Sequence, residues 1–332
     1  MPTSLESIRP VRRPAAWTFV SGKVATLESE LLPRSFFSSV LAADDRAGAR
    51  AALGKAVYRP FFPDDNSLSS ASSILDARLK EVRAEIFRLS PPHLLENYFG
   101  IAERFRSFRT LFNRLSKQTN PSLGDLEELF PLFAGGAELA DSLGEHRRML
   151  GRKTSPQAVS PMERSLYLDS AACTLMLAVA KRMPERLARA YMSDRAILTA
   201  WGGILRVRHN GASEEMVRNW YVLGSGGEFA QSVLAAENDP RSAVYRRLST
   251  TTAAALERAD AARLKADVDA VAVDSLHDIV LACRQVPFGA ERALSYLVAI
   301  EVELVNLELS LGAVVNAIDR PTTILRLRRE YA

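Results

Sequence analysis

The sequence predicts an all-α protein, on three observations. Apolar residues recur at helical spacing from one end of the chain to the other. Alternating β-branched runs bounded by Asn-Gly or Asp-Gly turns are absent. Helix starts are marked, most clearly at Ser160-Pro161-Met162-Glu163, where serine caps, proline fits the first helical position and glutamate reaches back to the cap.

Taken in order, Trp17, Val20, Val24, Leu27 and Leu31 step by three and four, with Lys23, Glu28 and Glu30 off the stripe and Pro33 as the stop. Beyond a Ser-rich loop around Asn66–Ser73, a second stripe holds Leu75, Leu79, Val82, Ile86 and Leu89. Pro91-Pro92 then precedes a longer helix with Leu94, Tyr98, Ile101, Phe105, Phe108, Phe112 and Leu115 on one face. Its other face is basic, with Arg104, Arg106, Arg109, Arg114 and Lys117. A helix from about Pro184 carries Leu187, Tyr191, Leu198, Trp201 and Leu205 and ends near Asn210-Gly211, and Gly226-Gly227 marks the next break. Ser275 with Asp278 reads as another capped start. The strongest element is the last long helix, where Leu297, Ile300, Leu304, Leu307, Leu311, Val314 and Ile318 alternate by three and four. Glu301, Glu303 and Glu308 fall off that seam, and Arg320-Pro321 ends it. A seam this narrow occurs in coiled coils, but among so many amphipathic helices an intramolecular bundle is the better account.

With 332 residues, 47% of them hydrophobic, the chain can bury one large core or two or three smaller ones. A 25% charged fraction excludes wholesale disorder. The net charge of +4 is too small an excess to argue for nucleic acid, and no aromatic-and-basic cluster matches a nucleic-acid module. Arginine outnumbers lysine, which suits carboxylate pairing at subunit interfaces but follows as simply from a GC-rich genome. Cys173 and Cys283 sit in apolar stretches as small buried hydrophobes, with neither zinc spacing nor a disulfide framework. Arg9, Arg12 and Arg13 are followed by no apolar run, so no signal peptide is expected. No stretch approaches the roughly 18 apolar residues of a membrane span. The expectation is a cytoplasmic protein that reaches a membrane surface only through partners.

Catalytic patterns fail one by one. Gly48 to Gly54-Lys55 imitates a P-loop, but five residues separate the glycines and Ala56 stands where the magnesium-binding hydroxyl belongs. Gly224-Ser225-Gly226-Gly227 is read as a break between helices in preference to a phosphate nest. Asp44-Asp45 and Asp64-Asp65 lack the further aspartate one turn on that a diphosphate-binding isoprenoid synthase needs, and read as solvated loop acids. His93, His146, His209 and His277 are scattered, and no Ser or Cys sits in a nucleophile elbow. No catalytic residue, metal ligand, cofactor or small-molecule ligand is expected.

Three segments repeat one theme: Arg104 to Leu111, Ile197 to Arg206, and Glu303 to Gly312. Aligned on Ser107, Ala200 and Asn306, they recur at about a third of the chain, which suggests three related helical units. Around them lie an aromatic first helix ending in Leu31-Leu32 and a stretch from Ala51-Ala52-Leu53 to Tyr58. The middle runs from Ile204 through Arg206, Arg208 and Gly211 to Glu214-Glu215 and Gly224, and the end carries Tyr296-Leu297, Glu303, Asn306-Leu307 and Pro321 through Leu327. In this order the landmarks resemble the C/d-subunit family of V-type and archaeal-type ATPases. Ser107 and Ala200 replace the family's asparagine, and Gly202-Gly203 replaces larger residues, as in a divergent bacterial member.

The resemblance implies three similar helical bundles in a pseudo-threefold, funnel-shaped arrangement, with units at about 1–120, 121–225 and 226–332. It implies a non-catalytic central-stalk rotor subunit that seats the shaft on the membrane proteolipid ring, with those subunits as partners, in proton or sodium transport. Candidate contact residues are the basic-face arginines Arg104, Arg106, Arg109, Arg206 and Arg208, together with Glu303 and Asn306. An isoprenoid-synthase-like helical enzyme and an unrelated helical adaptor are the alternatives.

Overall fold

In the computed structural model the described residues are 14–54, 57–64, 66–91, 94–116, 160–223, 228–236 and 241–331; at 14–16, 106, 108–109 and 111–116 only the backbone is described. They are helical, and no strand occurs among them. The chain opens with α1 (Pro14–Leu27), which continues as a single 3-10 turn over Glu28–Glu30. Pro33 does not stop this helix. Leu31 already turns extended, and the Leu32 N–H donates to the side chain of Glu303 from far along the sequence. A tertiary bond takes the donor that another helical turn would have used, and Pro33 becomes the N-cap of α2 (Arg34–Leu41).

The apparent P-loop is α3 (Arg46–Leu53), whose first turn is held by the Asp45 carboxylate accepting from Gly48 N at 2.7 Å. It ends at Gly54 with φ +50°, a conformation that suits glycine. Asp64 likewise serves the backbone, accepting from Ser67 N. The second and third stripes fold as α4 (Ala71–Leu89) and α5 (Leu94–Ser116).

The predicted capping box is present at the start of α6 (Pro161–Arg182): Ser160 accepts from Glu163 N, and Glu163 accepts from Ser160 N. A three-residue link leads to α7 (Arg186–His209), and the two pack along each other as a helical hairpin. Gly211 follows with φ +90°. Short helices come next: α8 (Glu214–Trp220), α9 (Glu228–Ala235), α10 (Ser242–Tyr245), α11 (Thr250–Glu257), α12 (Ala261–Ala266), α13 (Val268–Ser275) and α14 (His277–Arg284). Ser275 does not cap α14. Its hydroxyl donates back to Val271 O within α13, and Asp278 instead faces Arg258 and Arg329, each at 3.7 Å. The glycines at 224–227 lie outside the described residues.

The last long helix, α15 (Ala290–Val315), organises the rest. On its sides pack α1, α2, α3 and α4 from the first third of the chain, α7 from the middle and α14 from the last third. Its burial is therefore wider than a seam. Leu297, Leu304, Leu307 and Leu311 are buried as expected, but so are Val298, Val302, Glu303 and Asn306. The helix stops before Ile318, which is 48% exposed. Arg320-Pro321 does not end it but starts α16 (Arg320–Arg326), capped by Asp319 accepting from Thr322 N. One continuous apolar cluster runs from Val20 to Tyr331 through all these elements.

Leu307 is fully buried in the middle of α15. Leu307→Ala should lower unfolding free energy by about 2–5 kcal/mol, as read from urea denaturation with an unchanged m-value.

Candidate interaction site

Three polar groups on α15 fix the surfaces around them: Glu301 is half-buried, and Glu303 and Asn306 are buried. Glu301 is shared by two arginines from different parts of the chain. Arg83 of α4 reaches it at 3.1 Å, and Arg195 of α7 grips both carboxylate oxygens. Both guanidiniums also lie against the ring of Phe99 from α5, with centroid distances of 5.0 and 5.7 Å. Burial works against the charge of Arg195, yet Glu301 more than offsets it and its pKa stays above the ordinary value. At Arg83 burial prevails, and the pKa is lowered. One carboxylate thus joins α4, α5 and α7 to the central helix.

Glu303, two residues on, faces another way. It accepts from the Tyr58 hydroxyl and from Leu32 N, and it is only 5% exposed. Burial raises its pKa to about 7, while those two hydrogen bonds pull the other way. Asn306 is fully buried one turn later and clasps the C-terminal segment. Its Nδ2 donates to Arg328 O at 3.0 Å, and its Oδ1 accepts from Arg328 N at 2.8 Å. The same segment is held by Asp274 on Arg329 N, by His277 stacked on Tyr331 at 4.7 Å, and by the Arg284 side chain on Tyr331 O. Glu303, Asn306, Glu330 and Tyr331 line one small internal cavity with Leu31, Leu32 and Phe37. The two C-terminal candidates are therefore brought together, in the interior and with partners inside the chain.

The arginine candidates lie apart from them. Arg206 pairs with Asp269 of α13, and both side chains are nearly half exposed. Arg208 sits 4.0 Å from Glu214. The side chains of Arg106 and Arg109 lie outside the described residues. Arg104 lines an open groove of about 500 Å³ between α4 and α5, along with Lys80, Arg83, Phe87, Arg88 and Phe99. Lys80 and Glu103 bridge it at 3.2 Å. Partial burial lowers the pKa of Arg104, against the pull of Glu96 and Glu103.

Sequence reading passed over Arg83, Lys80 and Arg88, which fall off the α4 stripe as ordinary solvated positions, and it placed Glu301 only as off the seam. The available cue was Glu301 itself, a charge set in a long, strongly apolar helix.

Burial raises the thiol pKa of Cys173 and Cys283 to about 12, which keeps both protonated. Among the described residues no cluster of His, Cys, Asp and Glu is arranged to hold a metal, and no helix is long and apolar enough to cross a membrane. The chain matches no family model and no curated protein with which it was compared.

Removing the carboxylate from Arg83 and Arg195 leaves two partly buried cations against each other. Glu301→Gln should therefore cost about 3 kcal/mol of stability, measured by denaturant unfolding. The pH dependence of Glu303 has the opposite sense to that of an ion-paired acid. Its pKa rises on folding from 4.5 to about 7, so the protonated carboxyl favours the folded state. That contribution is complete below pH 4.5 and is lost as the pH climbs to about 7. The stability of the wild type relative to Glu303→Gln should fall by about 3 kcal/mol over that window and level off above it; a constant difference in paired unfolding curves would refute the assignment.

Proposed function

We propose that the chain is a non-catalytic connector of the C/d type, in the central stalk of a V-type or archaeal-type rotary ATPase. In this reading it joins the shaft to the membrane proteolipid ring, and torque passes through it between ATP hydrolysis and proton or sodium transport. The observation that carries the reading is the ionic junction at Glu301. It ties Arg83 from the first third of the chain and Arg195 from the second to the central helix of the last. A part that transmits torque has to resist relative movement of its segments, and a shared carboxylate on close-packed helices supplies that resistance.

Two further features support it. The acid and asparagine of the family-like C-terminal pattern, Glu303 and Asn306, knit the N-terminal segment and the C-terminal segment onto the same helix. Positions that shape the subunit serve coupling as directly as positions that touch a partner. The units at about 1–120, 121–225 and 226–332 would form three bundles arranged as a funnel around the shaft, peripheral to the membrane on its cytoplasmic side.

The test is functional and physical at once. A tagged chain should co-purify from native membranes with shaft and proteolipid-ring subunits. Cells lacking it should retain ATP hydrolysis by the catalytic head and lose ATP-driven ion pumping. Unimpaired pumping in the deletion strain would overturn the proposal.

A further inference from the structure

We propose that the groove between α4 and α5 is a docking site for an acidic, amphipathic segment of a protein partner. Carboxylates of that segment would seat on Arg88 and Arg104, and its apolar side chains would lie over Ala84 and Phe87. The inference stands on the chemistry of the groove and does not require the rotor reading.

The groove holds more positive charge than its own residues neutralise. Lys80, Arg83, Arg88 and Arg104 line it against Glu96 and Glu103. Glu103 is taken by Lys80, and Arg83 shares Glu301 with Arg195. Arg88 and Arg104 form no ion pair with any described residue. The Nε atoms of Arg83 and Arg104 are both buried without a hydrogen-bond partner. Those two atoms are closed off, but the exposed, unpaired guanidinium of Arg88 and the outer edge of the half-buried Arg104 remain planar donors suited to carboxylates.

Gly100 shows how the groove is shaped. A glycine inside a helix costs about 1 kcal/mol relative to alanine. A Cβ at this position would stand 2.9 Å from Arg104 Nη1. The missing side chain lets the guanidinium fold back along α5, where its Nη2 lies 3.4 Å from Asn97 O.

Shape and lining select the kind of ligand. From Lys80 to Arg88 the groove follows α4 for about 12 Å, roughly two helical turns. Ala84 and Gly100 keep it shallow, and Phe87 gives it apolar surface. A compact polyanion would meet Glu96 and Glu103 along with the arginines. A peptide that alternates carboxylates with apolar side chains can match both.

The experiment uses the full chain and a fluorescein-labelled helical peptide with glutamates four residues apart between leucines. Fluorescence anisotropy should show binding that weakens with added salt and is absent for the glutamine version of the peptide. Arg88→Ala with Arg104→Ala should weaken binding by roughly tenfold or more, and Gly100→Leu should do the same by filling the groove. Arg206→Ala with Arg208→Ala should leave it unchanged. Thermal melts of each variant confirm folding, and the exposed Arg88 gives a single variant free of packing effects. The proposal fails if the glutamine peptide binds equally, if groove and control variants behave alike, or if groove variants bind as wild type. It also fails if inorganic phosphate or phosphatidylglycerol vesicles compete for the groove arginines more strongly than the peptide binds them.

Discussion

Two guanidiniums brought into a helical core need negative charge between them, and Glu301 provides it for Arg83 and Arg195. Much of the fold follows from that junction. It sets the register of α4 and of α7 against α15, and it places Phe99 under both cations. The N-terminal segment has further polar ties to the central helix, from Leu32 and Tyr58 to Glu303 and from Glu28 to Arg292, but the rest of the contact of α4 and α7 with it is largely apolar. Such contacts tolerate sliding by a turn; a bidentate ion pair does not. A partly buried ion pair of this kind fixes the mutual placement of the helices that it joins.

Helix geometry lets one element serve several neighbours. Successive residues advance by about 100° around the axis. Glu301 and Glu303 therefore point to nearly opposite sides of α15, and Asn306 lies on the Glu303 side, about 60° away around the axis. The first meets α4 and α7, the second meets Tyr58 and Leu32, and the third meets Arg328. Each polar group finds its partners inside the chain, as burial requires. A helix that looks one-faced by its leucines thus carries polar partners on opposite sides.

The helical class and most helix positions were legible in the sequence because periodicity and capping are local. Ser160 with Glu163 capped α6 as read, and the stripes of α1, α4 and α15 buried their apolar faces. One error arose where a distant residue decided a local matter, and the others where one local pattern serves two structures. Pro33 could not reveal that Leu32 N–H bonds Glu303, nor could Ser275 reveal that its hydroxyl turns back to Val271. Arg320-Pro321 carries the same composition whether it ends one helix or begins the next. The site was less legible still. Arg83, Glu301 and Arg195 are separated by more than a hundred residues at each step, and nothing local to any of them names the others.

The position of α15 in the chain has a consequence for how the protein is made. During synthesis α1 to α4 leave the ribosome long before the helix that covers their apolar faces. Val20, Val24, Phe37, Leu75 and Ile86 are all buried in the finished fold, and the helix against which their elements pack is made only late in translation. Contacts of such long sequence separation close slowly, and exposed apolar helices invite aggregation while they wait. An architecture closed by one late helix leaves the earlier helices without that cover until it arrives.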